Sequence, residues 1–221
     1  MSVEKMSRYT LTAGQKAYGL LKNLLDFLIA FAAFLILLLP LLLLAAVIKM
    51  DDPGPVFFCQ KRIGKNQRPF MMLKFRTMRT DTPKDTPTHL LKNPEQYITR
   101  TGRFLRKTSL DELPQLLNIL VGHMSIVGPR PALWNQDDLN EAREALGVHQ
   151  VRPGLTGWAQ INGRDELEIP VKAALDGEYL RKFGLWMDIR CFFGTFRAVL
   201  SGKGVVEGGT GAMHDGTNNK K

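Results

Sequence analysis

Two adjacent carboxylates, Asp111 and Glu112, stand in the stretch Arg106-Lys107-Thr108-Ser109-Leu110-Asp111-Glu112-Leu113-Pro114-Gln115-Leu116. Proline is tolerated only in the first turn of a helix, so Pro114 predicts a helix over about 111–121 with both acids at its N-terminal end. Free backbone N–H groups and the positive end of the helix dipole keep a carboxylate ionised there, and an ionised carboxylate is a competent nucleophile toward phosphorus. The same end attracts phosphate, and Arg106 and Lys107 lie immediately upstream. A structural reading competes, because acids are common in first helical turns and Ser109 with Glu112 fits a capping box. That box would put Pro114 at the fifth helical position, where its ring clashes. The residues alone leave both readings open.

Other cationic segments suit anionic ligands. Gly128-Pro129-Arg130-Pro131 holds one arginine between two prolines, so a stiff backbone presents the guanidinium at little ordering cost. Residues 151–164, VRPGLTGWAQINGR, combine Arg152 and Arg164 with three glycines, Gln160 and Asn162. Lys74 and Arg76 flank Phe75 at strand spacing, which puts both on one face. Each also has a plainer reading, as surface arginines pairing with acids or as a solvated strand face. No phosphate loop of the form GxxxxGK[ST] and no dinucleotide-type glycine fingerprint occurs. His89, His123, His149 and His214 fall at no metal-ligand spacing, so neither a zinc site nor a serine triad has support.

The elements that must carry these residues are legible in the pattern. Residues 27–48 contain no charged side chain, and 22 such residues belong in hydrocarbon. The run is too long for the apolar part of a signal peptide and is not followed by a small-residue cleavage site. Pro40 near its middle predicts a bend. Lys5, Arg8, Lys16 and Lys22 precede the run, while Lys49, Lys61, Arg62, Lys65 and Arg68 follow it. Cationic flanks on both sides favour a re-entrant helix-break-helix with both ends in the cytoplasm over a single span. Asp51-Asp52-Pro53-Gly54-Pro55 is turn chemistry that stops the helix. Residues 56–60 and 69–75 read as strands of a β-hairpin around Gly64-Lys65-Asn66-Gln67. Residues 80–93 read as loop, and 101–107, 131–146, 170–183 and 185–200 as helices, with Gly147 and Gly184 as stops. Residues 151–164 read as mostly irregular. The last helix carries Ile189, Phe192, Phe193 and Phe196 on one face, suited to a protein core or to the headgroup layer. The predicted class is α+β and mostly helical: a membrane segment over 1–50, a catalytic domain over 51–201, and a glycine-rich mobile tail over 202–221.

Composition narrows the function classes. With 221 residues, 44% of them hydrophobic and 23% charged, the chain is neither disordered nor fibrous and can bury a core unaided. Cys59 and Cys191 are too few for a disulfide framework and indicate a reducing compartment. Residues 1–110 carry 18 Lys/Arg against 7 Asp/Glu, net +11, so this half sits against something anionic. The neighbouring apolar run favours anionic lipid over nucleic acid, for which no platform of interleaved aromatics exists.

Five motifs in order carry a resemblance: residues 56–62 with Gly64, KFRTM from Lys74, SLDELPQL from Ser109, MSIVGPRP from Met124, and VRPGLTGWAQINGR from Val151. Together they resemble the bacterial sugar transferase family, the monotopic phosphoglycosyl transferases, over about residues 22–200. The resemblance implies an enzyme on the cytoplasmic face of the bacterial inner membrane that moves a phospho-sugar from a UDP-sugar to a polyprenol phosphate, undecaprenyl phosphate being the expected carrier. UMP is released and a surface glycan is begun. It implies Asp111 as the nucleophile that forms a covalent phospho-sugar adduct, Glu112 as an Mg²⁺ ligand, and Arg106 and Arg130 as phosphate or nucleotide contacts, with Lys74 and Asp188 as further matched positions. The family's membrane helix breaks at a Ser-Pro pair, whereas this chain has Leu39-Pro40. A homodimer is compatible with the sequence. Two other functions fit the residues: a membrane-bound metal-dependent UDP-sugar pyrophosphatase, and a non-enzymatic polybasic membrane adaptor for which Asp111 would be dispensable.

Overall fold

The computed structural model describes residues 8–82, 94–163 and 167–201. Its first element, α1 (Ala13–Asp51), is opened by a capping box in which Thr12 and Gln15 exchange hydrogen bonds. The Asp52-Pro53-Gly54 turn follows directly, and Lys49 donates to the Gly54 carbonyl at 2.8 Å, so the expected stop is in place. The expected interruption at Pro40 is not: residues 13–51 form one helix of 39 residues, about 58 Å long at 1.5 Å per residue. Pro40 removes one donor, but Leu37 before it and Leu41 and Leu44 after it pack on adjoining parts of the core, and this packing carries the helix across the missing bond.

One stripe of α1 faces the rest of the protein from end to end. Tyr18, Ala30, Ala33, Leu37, Leu41, Leu44, Ala45 and Ile48 recur at helical spacing and join three hydrophobic clusters. The opposite face is apolar and uncovered, with Ile36 77% and Leu39 66% exposed. Among the described residues α1 is the one helix long and apolar enough to cross a membrane.

The hairpin forms as read, from β1 (Phe57–Ile63) and β2 (Pro69–Phe75), with Phe58 opposite Lys74 and Arg62 opposite Phe70. Phe70, Met72 and Phe75 of β2 are buried. Next come α2 (Arg100–Thr108), α3 (Gln115–Leu120) and β3 (Ser125–Val127), then α4 (Asp137–Leu146) and β4 (Gly154–Thr156), which pairs in parallel with β3. Short α5 (Trp158–Ile161), α6 (Ile169–Arg181) and α7 (Leu185–Ser201) complete the described chain. The mostly helical α+β class holds.

Two stretches differ from the sequence reading. Residues 131–136 are not helical, because the Ile63 N–H donates to the Ala132 carbonyl and Leu133 bridges to Arg62. These bonds hold residues up to Leu133 against the hairpin, a turn follows, and α4 begins only at Asp137, ending at Gly147 with φ 79°. The stretch read as irregular contains β4 and α5. In α7 the core face is Met187, Asp188 and Cys191, while Phe192, Phe193 and Phe196 point outward with Trp186, against whose ring Arg190 lies. The phenylalanine face is therefore not a core face. The tail over 202–221 and Arg164 lie outside the described residues.

Candidate active site

The two carboxylates sit on a junction rather than on a helix start. Ser109 takes a left-handed conformation, φ 57°, and ends α2. A 3₁₀ turn, Leu110–Glu112, follows, and α3 starts at Gln115 with Pro114 as its N-cap. The helix predicted from 111 thus begins four residues later, and Ser109 makes no capping box. Pro114 has no N–H to give and is placed just outside the helix, where none is needed. Six helical residues make only a weak dipole. The charge of the acids is governed by side chains instead.

Glu112 is the gripped member of the pair. Lys74 donates to its Oε1 at 2.8 Å, and Arg130 donates to both oxygens, to Oε2 at 3.2 Å. Burial pushes the Glu112 carboxyl up, but Arg130 and Lys74 outweigh it and hold it far below the usual carboxylate range. Asp111 is buried beside it and held more loosely: among the described residues its nearest cationic partner is Lys74, Nζ to Oδ2 3.7 Å. Burial pushes its carboxyl above the ordinary value, Lys74 opposing and Glu112 adding to the rise. Arg106 also acts on Asp111 through its charge, and its Nε is fixed by the Thr77 hydroxyl at 3.0 Å.

Local structure explains how these groups meet. Lys74 shares a strand face with the buried Met72 and Phe70, so its stem runs along the protein side of the hairpin toward the acidic turn. Asn118 of α3 sets the register: its Nδ2 donates to the Met71 carbonyl at 2.8 Å and its Oδ1 accepts from the Leu73 N–H at 2.9 Å. The amide thus plays the part of a neighbouring strand. Arg130 is presented by a loop clamped on glycine contacts. A Cβ on Gly128 would meet the Arg152 carbonyl at 2.4 Å, and one on Gly157 would meet the Gly128 carbonyl at 2.1 Å, so the GPRP and PGLTG segments close on one another only without side chains there.

Asp111, Glu112, Lys74 and Arg130 are therefore brought together, with Arg106 at the edge. Three other residues read as substrate contacts go elsewhere. Strand β2 ends at Phe75, so Arg76 does not continue the Lys74 face; it pairs with Asp52 at the end of α1, Nη1 to Oδ2 3.1 Å. Arg152 packs its guanidinium against Gly122, away from the grip on the carboxylates. Asp188 is buried between α1 and α6, accepting from Tyr18 and Tyr179 at 2.7 Å each and pairing with Lys22 at 2.9 Å. Lys22 also bonds Asp26, whose other oxygen accepts from Ser125. The sequence reading missed this cluster, although an i, i+4 Lys–Asp pair at the mouth of a charge-free run was a visible signal.

Among the described residues no three His, Cys, Asp or Glu side chains gather as a metal cage. Mg²⁺ does not require one, being held by one or two carboxylates while water and substrate phosphates fill the shell. The adjacent Asp111 and Glu112 fit that demand, provided Glu112 shares an oxygen now bonded to Lys74 or Arg130.

A family model described as bacterial sugar transferase matches residues 17–202, which include the acids, the hairpin and all of α1 after its first four residues. The chain belongs to the bacterial sugar transferase family. This sugar transferase is 41% identical over 210 residues to an undecaprenyl-phosphate glucose phosphotransferase of Komagataeibacter xylinus, covering 88% of this chain and 40% of that one. It is 45% identical over 172 residues to a UDP-glucose:undecaprenyl-phosphate glucose-1-phosphate transferase of Xanthomonas campestris pv. campestris, covering 74% and 36%. It is 42% identical over 195 residues to the exopolysaccharide production protein PSS of Rhizobium leguminosarum bv. phaseoli, covering 83% and 98%. The chain thus spans about two fifths of the first two relatives and nearly all of the third.

Proposed function

We propose that this sugar transferase moves a sugar phosphate from a UDP-sugar to a polyprenyl phosphate at the cytoplasmic surface of a bacterial membrane, beginning a surface glycan. The names of its relatives support the substrate classes. The observation that carries the division of labour is the asymmetry of the acid pair: among the described residues Glu112 has both oxygens hydrogen-bonded to cations, whereas Asp111 has a looser ion pair with Lys74 at 3.7 Å. A loosely held carboxylate is free to attack; a gripped one is fixed for electrostatic work.

In this reading an Asp111 oxygen attacks the β-phosphorus of the donor. The bond from that phosphorus to the bridging oxygen breaks, its electron pair leaving with UMP, and an aspartyl phospho-sugar remains. An oxygen of the polyprenyl phosphate then attacks the same phosphorus and releases the Asp111 carboxylate. No proton need move in either step. Lys74, Arg106 and Arg130 offset the charge of the phosphates and align them in line with Asp111. Mg²⁺ bound at Glu112 would neutralise the diphosphate as charge develops on the leaving group. Burial, which pushes the Asp111 carboxyl above its ordinary value, makes it a more basic nucleophile.

UMP release measured across a panel of UDP-sugars tests the reaction, and intact mass after donor alone tests the intermediate. The parent protein should gain one sugar phosphate, Asp111→Ala should gain none, and UMP release by Asp111→Asn should fall to background. A parent that turns over yet never carries the adduct would sink the covalent route. For the membrane segment we propose a monotopic placement in which α1, unbroken but bent at Pro40, keeps both ends on the cytoplasmic side, supported by cations on both flanks and by its attachment to the domain along its length. Cysteines placed at Gly14 and Lys49 in a Cys59→Ser background should both react with an impermeant maleimide only from the cytoplasmic side; labelling of one from each side means a span.

A further inference from the structure

The residue whose guanidinium grips Glu112 is itself held, through its backbone carbonyl, by a second arginine. Arg143 of α4 is buried, and its Nη1 donates to the backbone carbonyl of Arg130 at 2.9 Å. Its Nε and Nη2 both donate to Asp176 Oδ2 of α6, at 2.9 and 2.6 Å. Asp176 is completely buried, its other oxygen has no hydrogen-bond partner among the described residues, and burial pushes its carboxyl up in spite of Arg143. As a source of stability this is a poor arrangement, since a buried ion pair barely offsets its desolvation and apolar side chains of like volume do as well.

As a positioning device it is well made. The carboxylate fixes the plane of the guanidinium, and a planar fork with its plane fixed can aim a remaining nitrogen at one point. That point lies in a backbone already tied at each neighbouring carbonyl: Pro129 accepts from the Gly154 N–H at 2.9 Å, Pro131 from Arg62 at 3.0 Å, and Ala132 from the Ile63 N–H at 3.0 Å. Pro129 and Pro131 contribute no N–H of their own. Arg143 supplies the bond at the centre of the row, on the residue whose side chain reaches Glu112.

We infer that the Arg143–Asp176 pair is a positioning unit that locks the backbone of Arg130, so that its guanidinium meets Glu112 and the donor phosphates without rearranging. The inference rests on the transferase reading for its functional half only. Arg143→Lys keeps a cation beside Asp176 but cannot reach both the carboxylate and the Arg130 carbonyl. Its kcat for UMP release should fall about tenfold, the worth of one well-placed hydrogen bond, with KM for the UDP-sugar little changed, because a preorganised contact is felt in the transition state. In an Arg130→Ala background the same substitution should cost nothing further. Amide exchange over residues 125–133 should rise in Arg143→Lys whatever the enzyme does. Asp176→Asn, which keeps an acceptor but not the charge, should show a smaller loss in the same pattern and serves if Arg143→Lys does not fold. Losses of equal size with and without Arg130, a loss confined to melting temperature, or unchanged exchange over 125–133 would each overturn the inference. Absence of UMP release from the parent would count against the transferase reading instead, and the exchange measurement would then decide the positioning claim alone.

Discussion

Two acids one residue apart have opposite electrostatic fates, and the difference is measurable. Asp111 has its carboxyl raised by burial, so its charged form is disfavoured in the folded protein. Its favourable contribution is present below the ordinary value of 3.8 and is lost as pH rises through the folded pKa. Glu112 is depressed by Arg130 and Lys74, so its contribution is present above the ordinary value of 4.5 and is lost only as pH falls through the folded pKa. Asp111→Asn should therefore melt above the parent at pH 7, and the gain should vanish once pH falls below the ordinary aspartate range. Glu112→Gln should melt below the parent at pH 7 by about 2 kcal/mol, the worth of charge-assisted hydrogen bonds. Calorimetry from pH 3 to pH 8 checks both; shifts of the same sign at pH 7 would contradict the assignment of Lys74 and Arg130 to Glu112.

Among the elements, the hairpin was legible because both strands are short, rich in β-formers and bounded by turn residues, all of them local properties. The acidic turn was half legible. Pro114 marked a helix start correctly in kind, but it stands before the helix rather than within its first turn, and no local signal separates the two. Ala132 and Leu133 were misread as helix because the hydrogen bonds that keep them extended come from Ile63 and Arg62, about seventy residues away. The same limit applies to the site. Lys74, Arg130, Asp111 and Glu112 were recoverable as motif residues, whereas Arg76 left the Lys74 face when the strand ended one residue earlier, and Asp188 found its partners on α1. Asn118, which aligns α3 with β2, carries no sequence signal beyond being a polar residue in an apolar helix. Removing it in Asn118→Ala strands a buried N–H and a carbonyl, at a cost of about 2 to 4 kcal/mol. Because Lys74 follows directly on the bonded Leu73, UMP release should fall even at temperatures where the variant stays folded. Full activity with lowered melting would confine Asn118 to a structural role.

At the scale of the whole molecule, α1 is two surfaces on one helix. The inner stripe is core: Ala30 is fully buried against the hairpin and α3. Ala30→Leu should overpack that contact and lower stability by about 1 to 3 kcal/mol. Ile36→Ala, on the uncovered face, should leave melting in detergent within about 0.5 kcal/mol of the parent. If the two substitutions weigh equally in thermal melts, the helix is not docked as described.

The Lys22, Asp26 and Asp188 cluster has a practical corollary for anyone wanting a water-soluble fragment. Cutting the anchor away would take the cation from Asp188 and the acceptor from Ser125, and would strip the cover from Phe70, Met72 and Phe75 in one stroke. What remained would be an opened half rather than a trimmed enzyme. Preparations of this protein should accordingly keep the helix and supply it with detergent or lipid.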